Sequence, residues 1–287
     1  MNLLKPYQQK IMKNVLFKMN IEPTDPNILP QMDKIYDYII NRGNYATTTK
    51  RDYLIVFSLL LKNLGQPRAG EIVYRKVKEY AKKHNESEYT QTLDENEKKN
   101  YIKYEQLFEK VNELINVYNN NPTDKNIIKL VILSLYVLHP PLRNDYHNMK
   151  IIYNDYEDDK KSNYLLITNN NMYVIINNDK VIKRHGRGEI PITNKTLKSI
   201  LNQYINNYAF NNIYLFENTN ETPFTKRQIK YYINNMFKNK VLNIYNLRSA
   251  YISNFYRNNL DLLSRSILAD SMRHSQKLAE TNYCKYL

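Results

Sequence analysis

The chain has 287 residues, a formal charge of +14 and a single cysteine, Cys284. One cysteine excludes an internal disulfide and any cysteine-based zinc site, and it suits a reducing compartment. The longest apolar runs, Leu54–Leu61 and Leu130–Leu138, are too short to span a bilayer, and no secretory leader pattern opens the chain. These features predict a soluble intracellular protein whose surplus charge favours a polyanionic partner, with nucleic acid first among the alternatives and a merely solvated basic surface second.

Asn, Lys, Ile and Tyr are abundant, while Trp is absent and Gly occurs five times. These residues have A/T-rich codons, so the bias reflects a genome as readily as chemistry. The 27 tyrosines make chance motifs easy.

Residues 1–30 carry Pro6, Pro23, Pro26 and Pro30 and read as an arm with one short helix, Lys10–Met19. From Gln31 the pattern turns helical. Met32, Ile35, Tyr36 and Ile39 recur at three- and four-residue steps, with Gly43 at a C-cap position. Thr47-Thr48-Thr49 can cap a second helix, Lys50–Asn63, which stops at Gly65, and a third runs from Glu71 to Lys83. Lys50, Arg51, Arg68 and Arg75 lie on these helices or at their ends and suit phosphate contacts, although each is individually as consistent with a solvated face. Residues 84–97 are polar without a period and read as a linker. The expected division is therefore an arm over 1–30, a small helical domain over 31–90, and a larger domain over 91–287.

In the larger domain, Lys98–Tyr118 is amphipathic. A second helix starts at Pro122-Thr123-Asp124 and stops before Pro140-Pro141. Asp155, Glu157, Asp158 and Asp159 form an acidic run that suits a solvated turn better than a metal cluster. Residues 164–168, 172–176 and 189–192 are β-rich and predict a three-stranded antiparallel sheet. Helices return at 194–208, at 225–238 with Thr225 as cap, and twice more to the C-terminus. The class is mainly α with a small antiparallel sheet (α+β).

The chemistry concentrates late. An arginine, a histidine and a tyrosine can neutralise a phosphate, handle a proton and act as nucleophile, and the last 43 residues (245–287) supply Arg248, His274 and Tyr283. Arg143 follows the Pro-Pro stop, where it is either a fixed phosphate fork or a partner of Asp145. Lys183 precedes the turn Arg184–Gly188 and can protonate a leaving oxygen, with Lys180 as its competitor; Arg187 is a further phosphate contact. No Walker-type loop is present.

Four segments in order resemble the tyrosine recombinase, or phage-type integrase, family: Leu135–Arg143, Lys183 eight residues before Pro191, Tyr245-Asn246-Leu247-Arg248, and Met272-Arg273-His274-Ser275 with Tyr283 nine residues after His274. The Pro-Pro-Leu-Arg-Asn-Asp-Tyr and Met-Arg-His-Ser variants are similar to divergent recombinases of large DNA viruses and mobile elements. The resemblance implies a helical core-binding domain and a catalytic domain that cleaves and rejoins double-stranded DNA through a 3′-phosphotyrosine, without metal, ATP or other cofactor. It implies Arg143, Lys183, Arg248, His274 and Tyr283 as the catalytic set. It also implies self-association on DNA, as dimer or tetramer, and a location wherever that DNA resides: nucleus, cytoplasm or virion. Tyr245 stands where the family has histidine or lysine, and Arg273 where it has glycine. A type IB topoisomerase and an inactive DNA-binding relative are the alternatives. Nine residues on one straight helix would put His274 and Tyr283 on opposite faces, so the helix breaks between them or the tyrosine acts from another protomer.

Overall fold

The computed structural model describes residues 4–22, 28–42, 45, 47–88, 93, 95–154, 159–237 and 240–285, which fall into two units, 1–89 and 90–287. In its described residues the first unit is built of helices: α1 (Pro6–Lys18), α2 (Met32–Asp37) continuing as a π-helical turn (Tyr38–Arg42), α3 (Thr47–Asn63) and α4 (Pro67–Glu88). Pro6 and Pro67 open their helices at the position where a missing N–H costs nothing. The expected arm is a correction. Met12, Val15 and Leu16 of α1 are buried with Ile35, Ile39, Phe57, Leu60 and Val73, so α1 completes this core.

The α3–α4 corner turns on two glycines. Gly65 has φ +77, a left-handed conformation that lets the Gln66 N–H return to the Leu61 carbonyl. A Cβ on Gly70 would meet the Ser58 carbonyl at 2.8 Å, and the Ser58 hydroxyl instead donates to the Gly70 carbonyl at 2.7 Å. The C-cap read at Gly43 and the prolines Pro23 and Pro26 lie outside the described residues. Of the expected linker, residues 89–92 and 94 also lie outside them, while its two ends are helical, since α4 runs through Glu88 and the next helix opens at Glu95.

The second unit is built on α7 (Asp124–Val137). Every residue from Leu130 to Val137 is buried, as expected for a helix surrounded by other elements. Thr123 caps it by accepting from the Asn126 N–H. Truncating Leu133 at its centre to alanine would cost about 2–5 kcal/mol. Around α7 lie α6 (Tyr104–Asn120), α9 (Lys195–Tyr208), α10 (Lys226–Met236) and α11 (Ile244–Asn258). A short α5 (Glu95–Asn100) precedes α6, so the helix expected from Lys98 is interrupted at 101–103. The chain closes with α12 (Leu262–Ser271), α13 (Gln276–Leu278) and a second π-helical turn (Ala279–Tyr283).

The sheet has four strands in the order β1 (Lys150–Tyr153), β2 (Tyr164–Ile167), β3 (Met172–Ile176), β4 (Gly188–Pro191). β2, β3 and β4 are antiparallel neighbours, but β1 runs parallel to β2 with Lys150 opposite Tyr164. The expected three-stranded antiparallel sheet is therefore a four-stranded mixed one. Four residues of Lys-Ile-Ile-Tyr carry too little alternation to be read as a strand. β1 holds because its other edge is covered: the Ile151 N–H donates to Ile213, and the Leu215 N–H to Met149. The fold class is mainly α with a small sheet, α+β.

Candidate active site

Three stretches of the second unit meet. The first is the Pro140–Arg143 turn after α7, fixed where the Tyr136 hydroxyl donates to the Arg143 carbonyl at 2.9 Å. The second is α11, which Asn243 starts by accepting from the Asn246 N–H. The third is the turn after α12, where Arg273 has φ +60.

Arg248 lies at the centre and is 1% exposed. The sequence places it beside the apolar face of its helix, but Leu247, Arg248, Ser249 and Ala250 are all buried. Its guanidinium donates to the Pro141 carbonyl and, at 3.4 Å, to that of Met272, while Nε has no partner among the described residues. Burial holds its pKa below the usual arginine value, with the Tyr283 hydroxyl opposing that shift and Arg143 adding to it. Arg143 is half-buried and donates from Nη1 to the Arg273 carbonyl at 3.3 Å.

Tyr283 closes the cluster. Its ring centroid is 5.0 Å from the Arg248 guanidinium carbon, 5.5 Å from the His274 ring at an interplanar angle of 17°, and 5.1 Å from the ring of Tyr245. The problem of nine residues on one helix is solved by three local devices. The left-handed Arg273 puts His274 before the helix. Ser275 then caps α13 by accepting from the Leu278 N–H at 3.3 Å. Finally the segment widens into the π-helical turn that ends at Tyr283. The tyrosine thus meets the His274 and Arg248 of its own chain.

His274 is buried with Nδ1 3.2 Å from the Ser275 carbonyl. A carbonyl only accepts, so Nδ1 carries the proton and Nε2, which has no partner among the described residues, is left as a lone pair. Burial first, then Arg248, and further Arg143 and His185, depress its pKa to about 3. The imidazole is neutral at neutral pH. Asp145 is the nearby carboxyl. Burial, then Asp179, raise its pKa, while Arg143 and Arg248 pull it back.

Arg273 is the functional neighbour that sequence reading passed over. Where a glycine would suit the left-handed turn, it places a buried guanidinium against Asp179, at 3.0 and 3.2 Å, and against the Gly186 carbonyl at 2.6 Å. Gly188 makes room, since a Cβ there would meet Arg273 Nη1 at 2.9 Å. These bonds grip both ends of the 179–186 segment, which carries Lys183. That lysine is exposed on α8 (Ile182–His185), a single helical turn where a plain hairpin was expected, and Lys180 is exposed beside it. The structure therefore brings Arg143, Arg248, His274, Tyr283 and Tyr245 together, and holds Lys183 on a tethered segment adjoining them.

The other expected contacts are dispersed. Arg68 and Arg75 are exposed. Arg51 pairs with Asp52 at 3.5 Å, and Arg187 with Glu189 at 3.0 Å. Lys50 is half-buried and donates to the Ile40 carbonyl at 2.8 Å, which satisfies the end of the first π-helical turn. Tyr146, which ends the Pro-Pro-Leu-Arg-Asn-Asp-Tyr stretch, is buried with its hydroxyl 3.2 Å from His139 Nδ1. Of the acidic run, residues 155–158 lie outside the described residues. Asp159 accepts from the Lys161 and Ser162 N–H groups as a turn residue does.

No protein-family model matches the chain, and no curated protein matches it. Among solved structures it is similar to the crystal structure of XerA recombinase, at 14% identity and a TM-score of 0.44, over 99% of this chain and 88% of that one. It is likewise similar to the crystal structure of a lambda integrase dimer bound to a COC′ core site, at 12% identity and a TM-score of 0.44, over 98% of this chain and 78% of that one.

Proposed function

We propose that this chain is a tyrosine recombinase that breaks and rejoins double-stranded DNA through Tyr283. One observation carries the reading: the buried guanidinium of Arg248 faces the Tyr283 ring, donates to two backbone carbonyls, has Arg143 near it, and forms no ion pair with a carboxylate among the described residues. A buried cation of this kind is expensive unless an anion completes it, and a phosphodiester has the planar two-oxygen edge that an arginine fork fits.

In the proposed step the Tyr283 oxygen attacks the scissile phosphorus. The bond from phosphorus to the 5′ oxygen breaks, and a 3′-phosphotyrosyl link forms. Arg248 and Arg143 take the two non-bridging oxygens and stabilise the added negative charge. The proton that Tyr283 loses passes to the open Nε2 of His274, where the phosphate anion offsets the burial and the nearby arginines, and the resulting N–H donates a hydrogen bond to a phosphate oxygen. Lys183, brought in by the 179–186 segment, protonates the departing 5′ oxygen. The bond energy is kept in the ester, and the reverse attack by a 5′ hydroxyl rejoins the strand.

The test is covalent capture. The protein is incubated with a pool of nicked duplexes of random sequence, and adducts are recovered after denaturation. The expected result is adduct with the wild-type chain and none with Tyr283→Phe. Adduct that persists in Tyr283→Phe overturns the assignment. Exchange between two captured sites, set against relaxation of a supercoiled plasmid, separates recombinase from topoisomerase.

A further inference from the structure

The face of α11 next to Arg248 carries hydroxyls at four-residue steps: Tyr245, Ser249 and Ser253. That spacing stacks side chains one above another on a helix. All three are bonded to the segment bearing Tyr283. The Tyr245 hydroxyl donates to the Asn282 carbonyl. Ser249 donates to the Tyr283 carbonyl at 2.6 Å. The Ser253 hydroxyl reaches the same carbonyl at 3.4 Å and accepts from the Lys285 N–H at 2.8 Å.

These backbone groups need partners for a physical reason. Asn282 and Tyr283 end the π-helical turn, which the Cys284 N–H closes onto the Ala279 carbonyl at 2.9 Å. Terminal carbonyls of a helix have no further N–H to accept from, so they need side chains or water. Here the hydroxyls of the helix that also carries Arg248 take that place, at a buried position. Ser249 and Ser253 are buried, and so are Cys284 and Lys285.

We propose that Tyr245, Ser249 and Ser253 are positioning residues. They form a hydroxyl ladder that docks residues 282–285 on α11 and so fixes Tyr283 against the Arg248 and His274 of the same chain. The proposal rests on the strand-transfer reading for its consequence in the reaction, while the docking itself does not. Tyr245 then has a definite role, although it stands where the resembled family has histidine or lysine. Its ring flanks Tyr283 and its hydroxyl holds the preceding carbonyl.

The experiment places 3-fluorotyrosine at position 283 of the full chain and reads its fluorine resonance in Tyr245→Phe, Ser249→Ala and the Ser249→Ala/Ser253→Ala pair. The unaltered ladder is expected to give one resonance, displaced by the rings of His274 and Tyr245. The serine pair is expected to collapse it toward the position of an unfolded peptide, with the thermal transition retained. Tyr245→Phe keeps the ring and removes one bond, and is expected to broaden the resonance without full collapse. In parallel, the single-turnover rate of adduct formation is expected to fall about 10- to 100-fold in Ser249→Ala, the penalty for a nucleophile displaced by an ångström. DNA binding should stay within about two-fold, since only the transition state uses the docked ring. A resonance that stays in place in the serine pair overturns the ladder. A resonance that moves while cleavage stays normal overturns its positioning role. If the wild-type chain forms no adduct, the strand-transfer reading falls and the resonance alone decides the docking.

Discussion

Lys62, Lys76 and Lys78 of the first unit stand at its surface, whereas Arg248 and Arg273 near Tyr283 are buried and Arg143 is half-buried. Lys62 pairs with Glu71 at 3.2 Å and Lys76 with Asp33 at 3.5 Å, and all four side chains are exposed. Lys76 also lies 4.5 Å above the ring of Tyr36, and Lys78 4.9 Å above that of Tyr74. Such pairs are worth about 0–1 kcal/mol each and are screened by salt. Arg248 and Arg273 are both buried, yet they differ from each other. Arg273 has a two-point carboxylate, Asp179, and Arg248 has carbonyls and an unpartnered Nε. A formal charge of +14 counts all of these alike. Burial and pairing separate a solvated face from a structural tether, and both from a place prepared for an anion.

The sharpest break of this comparison is Arg248→Lys. It keeps the charge and removes the fork, and adduct formation is expected to fall by about 10³- to 10⁵-fold, the range for losing an arginine at a transferring phosphoryl group. Near-normal cleavage in single-turnover assays would show that the fork is not used. Asp179→Asn comes next. It strands the Arg273 charge in the interior and is expected to destabilise the chain by about 3–5 kcal/mol in urea unfolding. Replacing both partners, Asp179→Leu with Arg273→Met, should recover most of that loss, because two apolar groups need no compensation. If the single variant is as stable as the wild type, the tether is ornamental.

The histidines give a smaller, pH-linked effect. His139 is buried and depressed to about 4, chiefly by desolvation, and His274 is depressed to about 3. Both titrate near 6.5 when unfolded, so between those values the unfolded chain holds more protons and stability rises with pH. The stabilisation is complete above about pH 6.5 and is lost as pH falls toward 4. It amounts to roughly 2–4 kcal/mol from His139. Denaturant midpoints at pH 7.5 and 4.5 measure it, and His139→Gln should flatten the slope. Arg75→Ala, in the exposed set, is the mildest. Stability should stay within about 0.5 kcal/mol, while the salt slope of DNA binding drops by about one. An unchanged slope would remove Arg75 from the DNA-facing surface.

Periodicity was legible wherever a helix had one wet face. Of the stripe expected on the amphipathic segment Lys98–Tyr118, Leu107, Val111 and Leu114 are buried while Phe108 stays exposed, and the helix start at Thr123 and the cap Thr225 stand as the pattern predicts, because helix spacing and capping are local. Local signals also put β2, β3 and β4 in place. β1 escaped because its partner, β2, and its cover, residues 213–215, lie beyond any local window. The same limit hid the partners of Arg273. The left-handed turn was readable as a place for glycine, but the compensation for an arginine there is 94 residues upstream, at Asp179. The α1 core escaped for another reason: prolines flank it, and they mark helix ends as well as arms. Convergence of Arg143 with Arg248 was an expectation from box order, and the link between them runs through the Pro141 and Arg273 carbonyls, which carry no sequence signal.

The second π-helical turn, Ala279–Tyr283, gives the segment a fixed length as well as a shape. A π-helical turn accommodates one more residue than the α-helical turn it replaces. Removing a single residue between Ser275 and Tyr283 would let the segment relax to α-helix, rotating Tyr283 off the His274 ring and shifting the carbonyls away from Ser249. Along this stretch, insertions and deletions should therefore be far less tolerated than substitutions. A deletion scan of residues 276–282 would measure chain length as a mechanical property of the nucleophile, separate from the identity of any side chain.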